Sequence, residues 1–74
     1  MNRTRRIEAE CTKELLKHGF ENTAENRLEF YQGLRDAWKE DPSTGYEKSI
    51  WMFTLTSMIV GERLVVFLER TGRL

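Results

Sequence analysis

Residues 49 to 61 read Ser-Ile-Trp-Met-Phe-Thr-Leu-Thr-Ser-Met-Ile-Val-Gly, thirteen positions without a charge in a chain that is 32% charged as a whole. Around this tract, Tyr46, Ile50, Phe53, Ser57, Val60, Leu64, Phe67 and Thr71 recur at alternating intervals of four and three. That alternation is the spacing of a coiled-coil seam, and six of the eight positions are apolar. The apolar residues are not confined to the seam. Coiled as a helix, the tract turns Ile50, Phe53 and Val60 one way, Trp51, Leu55 and Met58 another, and Met52 and Ile59 a third. A helix that is apolar all round is expected to be covered all round.

The same residues also suit a strand, being rich in β-branched and aromatic side chains. Gly61-Glu62 would then form the two-residue turn of a hairpin. The four-three register runs unbroken across Gly61, however, and helix signals stand at both ends. Thr44-Gly45-Tyr46-Glu47 has the pattern of a capping box, and Arg70-Thr71-Gly72 places a cation and then a glycine where a helix would stop. The spacing predicts one long helix over 45–71.

Upstream, two shorter amphipathic segments precede it. Ile7, Cys11 and Leu15 recur every fourth residue, with Leu16 beside them, which predicts a helix over 4–18 with one narrow apolar stripe. Gly19 follows Lys17-His18 as a left-handed stop, with Phe20 expected to fold back onto Leu15. Asn22-Thr23-Ala24-Glu25 reads as a capping box with Asn22 as the cap. From there Ala24, Leu28, Tyr31, Leu34 and Trp38 step by four, three, three and four. Pro42 disfavours helical geometry at Asp41, so this second helix is expected over 23–40. Gly33 would weaken it by about 1 kcal/mol relative to alanine while letting a neighbour approach.

The expected fold is therefore all-α: a single domain over 1–74, a small three-helix bundle with a long C-terminal helix. A core of this size rarely contributes more than roughly 3–5 kcal/mol of net stability. Cys11 is the sole cysteine and His18 the sole histidine, so neither a disulfide within the chain nor a structural zinc site can supplement it. Association with a second copy is the remaining supplement. The first two helices offer only narrow stripes against the third, and the surplus apolar surface predicts a homodimer. Ile50, Trp51, Phe53, Leu55, Met58 and Ile59 are the expected interface, with Ser57 and Gly61 permitting close helix contact.

No chemistry-bearing constellation is present. There is no Ser-His-Asp set, phosphate-binding glycine loop or HExxH-like spacing, and neither cofactor nor metal is expected. Cys11 reads as a small buried hydrophobe and His18 as a cation at a helix end. Glu25 and Glu29, one turn apart, read as a solvated face rather than an acid–base pair.

The chain is neutral overall, with twelve basic and twelve acidic residues, but not uniformly so. Residues 1–20 carry five basic and three acidic groups, 21–47 three and seven, and 48–74 four and two. Arg3, Arg5 and Arg6 are candidate nucleic-acid contacts, in a flexible arm reaching phosphates or a minor groove. Glu8, Glu10 and Glu14 interleave with Lys13 and Lys17 behind them, which weakens that reading. The acidic middle, through Glu25, Glu29, Asp36, Glu40 and Asp41, offers a face for a basic protein.

Residues 49–68 have the length to span a bilayer. Glu62 and Arg63 interrupt them at about 2.5–3.5 kcal/mol each near the bilayer centre, so no membrane partner is expected. The basic start has no apolar stretch behind it of the kind an export signal needs. With a lone thiol, this predicts a reducing cytoplasm. The functional expectation is a small cytoplasmic regulator or adaptor without enzymatic activity. It would self-associate through its last helix and bind another protein, acting by occlusion or bridging. The alternative is a dimeric nucleic-acid-binding regulator that uses the basic N-terminal arm.

Overall fold

The structure, a computed structural model, describes residues 3–73, with side chains from Arg5 onward. Three helices follow one another, α1 (Arg3–Lys17), α2 (Ala24–Glu40) and α3 (Tyr46–Arg70). No strand occurs among the described residues, so the tract over 49–61 is helical and the hairpin reading falls. The bundle measures 41 × 27 × 23 Å, the long dimension matching the roughly 38 Å of a 25-residue helix at 1.5 Å per residue.

The helix stops work as their sequences imply. Gly19 takes φ +84°, the Gly19 N–H donates to the Leu16 carbonyl at 3.0 Å and the Phe20 N–H to the Leu15 carbonyl at 3.3 Å. This is the paired closure of a Schellman motif. The end of α3 repeats it, with Gly72 at φ +70° and Arg73 N–H donating to the Leu68 carbonyl at 2.9 Å.

Both expected capping boxes need correction by one residue. Thr23, not Asn22, caps α2, its hydroxyl oxygen accepting from the Asn26 N–H at 3.2 Å. Asn22 instead receives the Arg27 guanidinium on its side-chain and backbone oxygens, at 2.8 and 3.2 Å. At α3 the cap is Gly45, φ +125°, with no side-chain cap bond; Thr44 lies outside the helix. Gly33 is exposed, with nothing near its Cα that a methyl group would meet, so it admits no close neighbour within the chain.

α2 and α3 form the principal pair and run antiparallel, as three contacts along their length establish. Trp38, near the end of α2, stacks on Trp51, near the start of α3, with ring centroids 5.6 Å apart and planes 22° from parallel. In the first turn of α2 the Arg27 guanidinium donates to both Glu62 carboxylate oxygens, at 2.7 and 3.3 Å. Beside it, at the end of α3, Arg70 meets Glu25 at 3.2 Å. α1 lays its stripe over this pair, and Ile7, Cys11, Tyr31, Leu55 and Ile59 together form the core.

Candidate interaction surface

The functional question reduces to which side of α3 the other two helices leave uncovered. At 3.6 residues per turn, two residues of separation is 200° of rotation, so Phe53 and Leu55 stand on opposite sides of the helix. Leu55 and Ile59 have 0% exposure, and Thr54 and Val66 are buried beside them. Trp51, Met58 and Ile50 are half-buried against the same core. Across the helix, Tyr46 is 71% exposed, Phe53 75%, Val60 62%, Leu64 59% and Phe67 53%. Ser57 and Thr71 complete this line and are exposed as well.

This corrects the expected interface. Leu55 and Ile59 lie entirely inside the chain's own core, out of reach of a second molecule. Trp51 and Met58 pack mainly inward, Trp51 through its stack on Trp38. Of the six residues expected to meet a partner, Phe53 stands well out from the bundle and Ile50 lies at its border. Tyr46, Val60, Leu64 and Phe67, absent from that set, make up the rest of the outward stripe. Their signal was the four-three spacing itself. α1 and α2 cover the opposite side of α3 and leave seven of the eight seam positions exposed.

At about 200 Å² per aromatic ring, Tyr46, Phe53 and Phe67 alone leave roughly 400 Å² of ring surface to water at the exposures given above. With Val60 and Leu64 the stripe reaches the upper part of the ~300–600 Å² that the largest patch on a soluble monomer covers, and patches of that size are often functional. Flanking it along one edge at seven-residue intervals are Ser49, Thr56, Arg63 and Arg70, and along the other Thr54, Gly61 and Leu68. Near its N-terminal end a cleft of about 370 Å³ opens between α1 and α3, lined by Arg6, Ile7, Glu10, Tyr46, Glu47, Ile50 and Trp51.

The candidate nucleic-acid residues are placed differently than expected. α1 begins at Arg3, so Arg5 and Arg6 sit on a helix turn rather than a flexible arm. Both are exposed, and Arg6 lies 4.0 Å from Glu10 one turn on. The side chain of Arg3 lies outside the described ones. On α2, Glu25, Glu29, Asp36 and Glu40 are exposed, with Asp41 just beyond. Hydrogen bonds from Ser43, first from its side chain and then from its backbone N–H at 2.8 Å, hold the Asp41 carboxyl below its ordinary range.

The thiol of Cys11 is buried, and burial, then the charges of Glu10 and Glu8, push it up to about 11. It stands protonated and shielded, the opposite of a nucleophile's environment. Burial likewise raises the Tyr31 hydroxyl to about 12. His18 is exposed at the end of α1, 3.7 Å from Glu14. Among the described residues no three His, Cys, Asp or Glu side chains converge as metal ligands would. α3 is long and apolar enough to cross a membrane by length and composition, with 22% of its most apolar stretch buried in the bundle.

No family model matches this chain, and no curated protein and no solved structure is detectably similar to it.

Proposed function

We propose that this chain is a small cytoplasmic regulator or adaptor without catalytic activity. It self-associates through the outward stripe of α3 and engages another protein with its remaining surface, acting by occlusion or bridging. One observation carries the reading: a line of five large apolar side chains stands in water along the outside of a helix whose other side already forms a complete core. A stripe of that size on a soluble chain is ordinarily a contact surface. The buried, protonated Cys11 and the salt-bridged or solvated carboxylates leave that surface as the feature with most to do.

The acidic side chains of α2 support the second half of the reading. In a dimer held through α3, each copy keeps Glu29, Asp36 and Glu40 on another helix, available to a basic protein segment. Two such faces on one dimer would allow bridging.

Mixing two differently tagged copies tests the proposal. Capture through one tag should recover the other copy, and Phe53→Glu in both should abolish recovery while leaving the helical signal intact. Recovery unaffected by Phe53→Glu would refute self-association through this stripe.

A further inference from the structure

We infer that the occupant of the α3 stripe is a second copy of this chain running antiparallel, its Phe67 end lying against the Tyr46 end of the first. The inference rests on self-association and adds orientation, register and the residues that meet.

The eight seam positions are symmetric about a point midway between Met58 and Ile59 in the sequence. Turned end for end about that point, Tyr46 falls opposite Thr71 of the second copy, Ile50 opposite Phe67, Phe53 opposite Leu64, and Ser57 opposite Val60. Every layer then joins two different residues, and the large rings of Tyr46, Phe53 and Phe67 each face a smaller side chain, as interdigitated packing requires. A parallel pair would instead stack identical residues, giving Phe53 on Phe53, Phe67 on Phe67, and polar Ser57 and Thr71 layers.

Charge favours the same orientation. Arg63 and Arg70 edge the C-terminal half of the stripe, and with Glu62, Glu69 and Arg73 that end keeps one net positive charge per copy, which a parallel pair would bring together. The antiparallel pair sets Arg63 beside Thr56 and Arg70 beside Ser49 of the other copy. It also brings that end toward Glu47, which with Glu10 and Arg6 lines the cleft at the start of α3. Opposed helix dipoles add to the preference.

The area suffices for a modest, reversible dimer. The aromatic rings alone supply roughly half of the ~800 Å² per partner of a standard interface, and Val60, Leu64 and the exposed flanking residues Ser49, Thr56 and Gly61 add to it.

Disulfide trapping on a Cys11→Ala background tests the inference. Chains carrying Tyr46→Cys and chains carrying Thr71→Cys are oxidised separately and as a mixture, with mass measured by sedimentation before oxidation. The expected result is a dimer in which only the mixture cross-links, the thiol introduced at position 46 of one chain joining the thiol introduced at position 71 of the other. Like positions cannot meet, because they stand about 38 Å apart along the antiparallel axis. Cross-linking of each variant with itself would establish a parallel pair, overturning the orientation while leaving self-association standing. A dimer that never cross-links would place the contact elsewhere and overturn the inference. A monomer that binds neutral phosphatidylcholine vesicles would assign the stripe to a lipid surface, and a monomer that does not would leave it without a second copy; either overturns both the inference and the reading beneath it.

Discussion

Truncating Phe53 and Leu55 separately exposes the two-sided character of α3, since the residues are two apart in sequence and opposite in environment. Leu55 has 0% exposure, and Leu→Ala at such a site costs about 2–5 kcal/mol from lost transfer free energy and the cavity left behind. Against the roughly 3–5 kcal/mol available to a core of this size, Leu55→Ala should leave most of the isolated chain unfolded. Phe53 is 75% exposed, so only about a quarter of the ~1.5–3 kcal/mol of a fully buried side chain is realised within one chain. The better helix propensity of alanine offsets much of that remainder. At concentrations where the chain is monomeric, Phe53→Ala should therefore be nearly neutral. In the proposed dimer, two rings leave the interface. The loss should then be about 2–4 kcal/mol per dimer, roughly 30- to 1,000-fold in the dissociation constant. Urea unfolding followed by circular dichroism, at low and high micromolar concentration, reads all four cases. Equal costs for the two variants at both concentrations would refute the assignment of inner and outer sides.

Three further outcomes follow from the packing. The Arg27–Glu62 pair is 25% and 16% exposed, so Glu62→Gln should cost about 1–2 kcal/mol, less than the 3–5 of a fully buried pair. A double-mutant cycle with Arg27→Met that gives no coupling would show the pair to be decorative. Cys11 and Tyr31 hold their protons more tightly folded than unfolded, with values of about 11 and 12 against ordinary values of 9.0 and 10.0. Stability should thus be level below pH 9 and fall as pH rises toward 11 and 12, by on the order of 2 kcal/mol per group. Cys11→Ala should remove the earlier part of that fall, and a urea midpoint unchanged from pH 8 to 11 would contradict the burial of both groups. Thr23→Ala should destabilise by about 1 kcal/mol through loss of the α2 cap, whereas Asn22→Ala should act only through Arg27. Equal effects with Arg27 already replaced would contradict the cap assignment.

The three helices were legible because each carries a periodic stripe and a glycine or proline stop that local geometry alone enforces. The caps slipped by one residue where neighbours compete for the same role. Asn22 and Thr23 both accept hydrogen bonds, and Arg27, four residues into the helix, draws Asn22 away. Which side of α3 stays exposed was harder to read. In the tract over 49–61 the apolar residues point in every direction, so spacing alone does not say which side the bundle takes. That choice is made by partners distant in sequence. Trp38 stacks on Trp51, Arg27 grips Glu62, and the α1 stripe through Ile7 and Cys11 meets Leu55 and Ile59. Once these fix the rotation of α3, the four-three seam is turned outward. The arginines had a local reading as an arm, but Arg5 and Arg6 belong to a helix whose apolar side is anchored by Ile7.

Sedimentation equilibrium across a wide concentration range, on the natural chain and on Phe53→Glu/Leu64→Glu, bears most directly on the stripe as a self-contact. The expected result is a mass rising to twice that of the chain for the natural protein. The double variant should stay at one chain mass at every concentration with its helical signal preserved. A natural chain that remains monomeric and folded at millimolar concentration would contradict it.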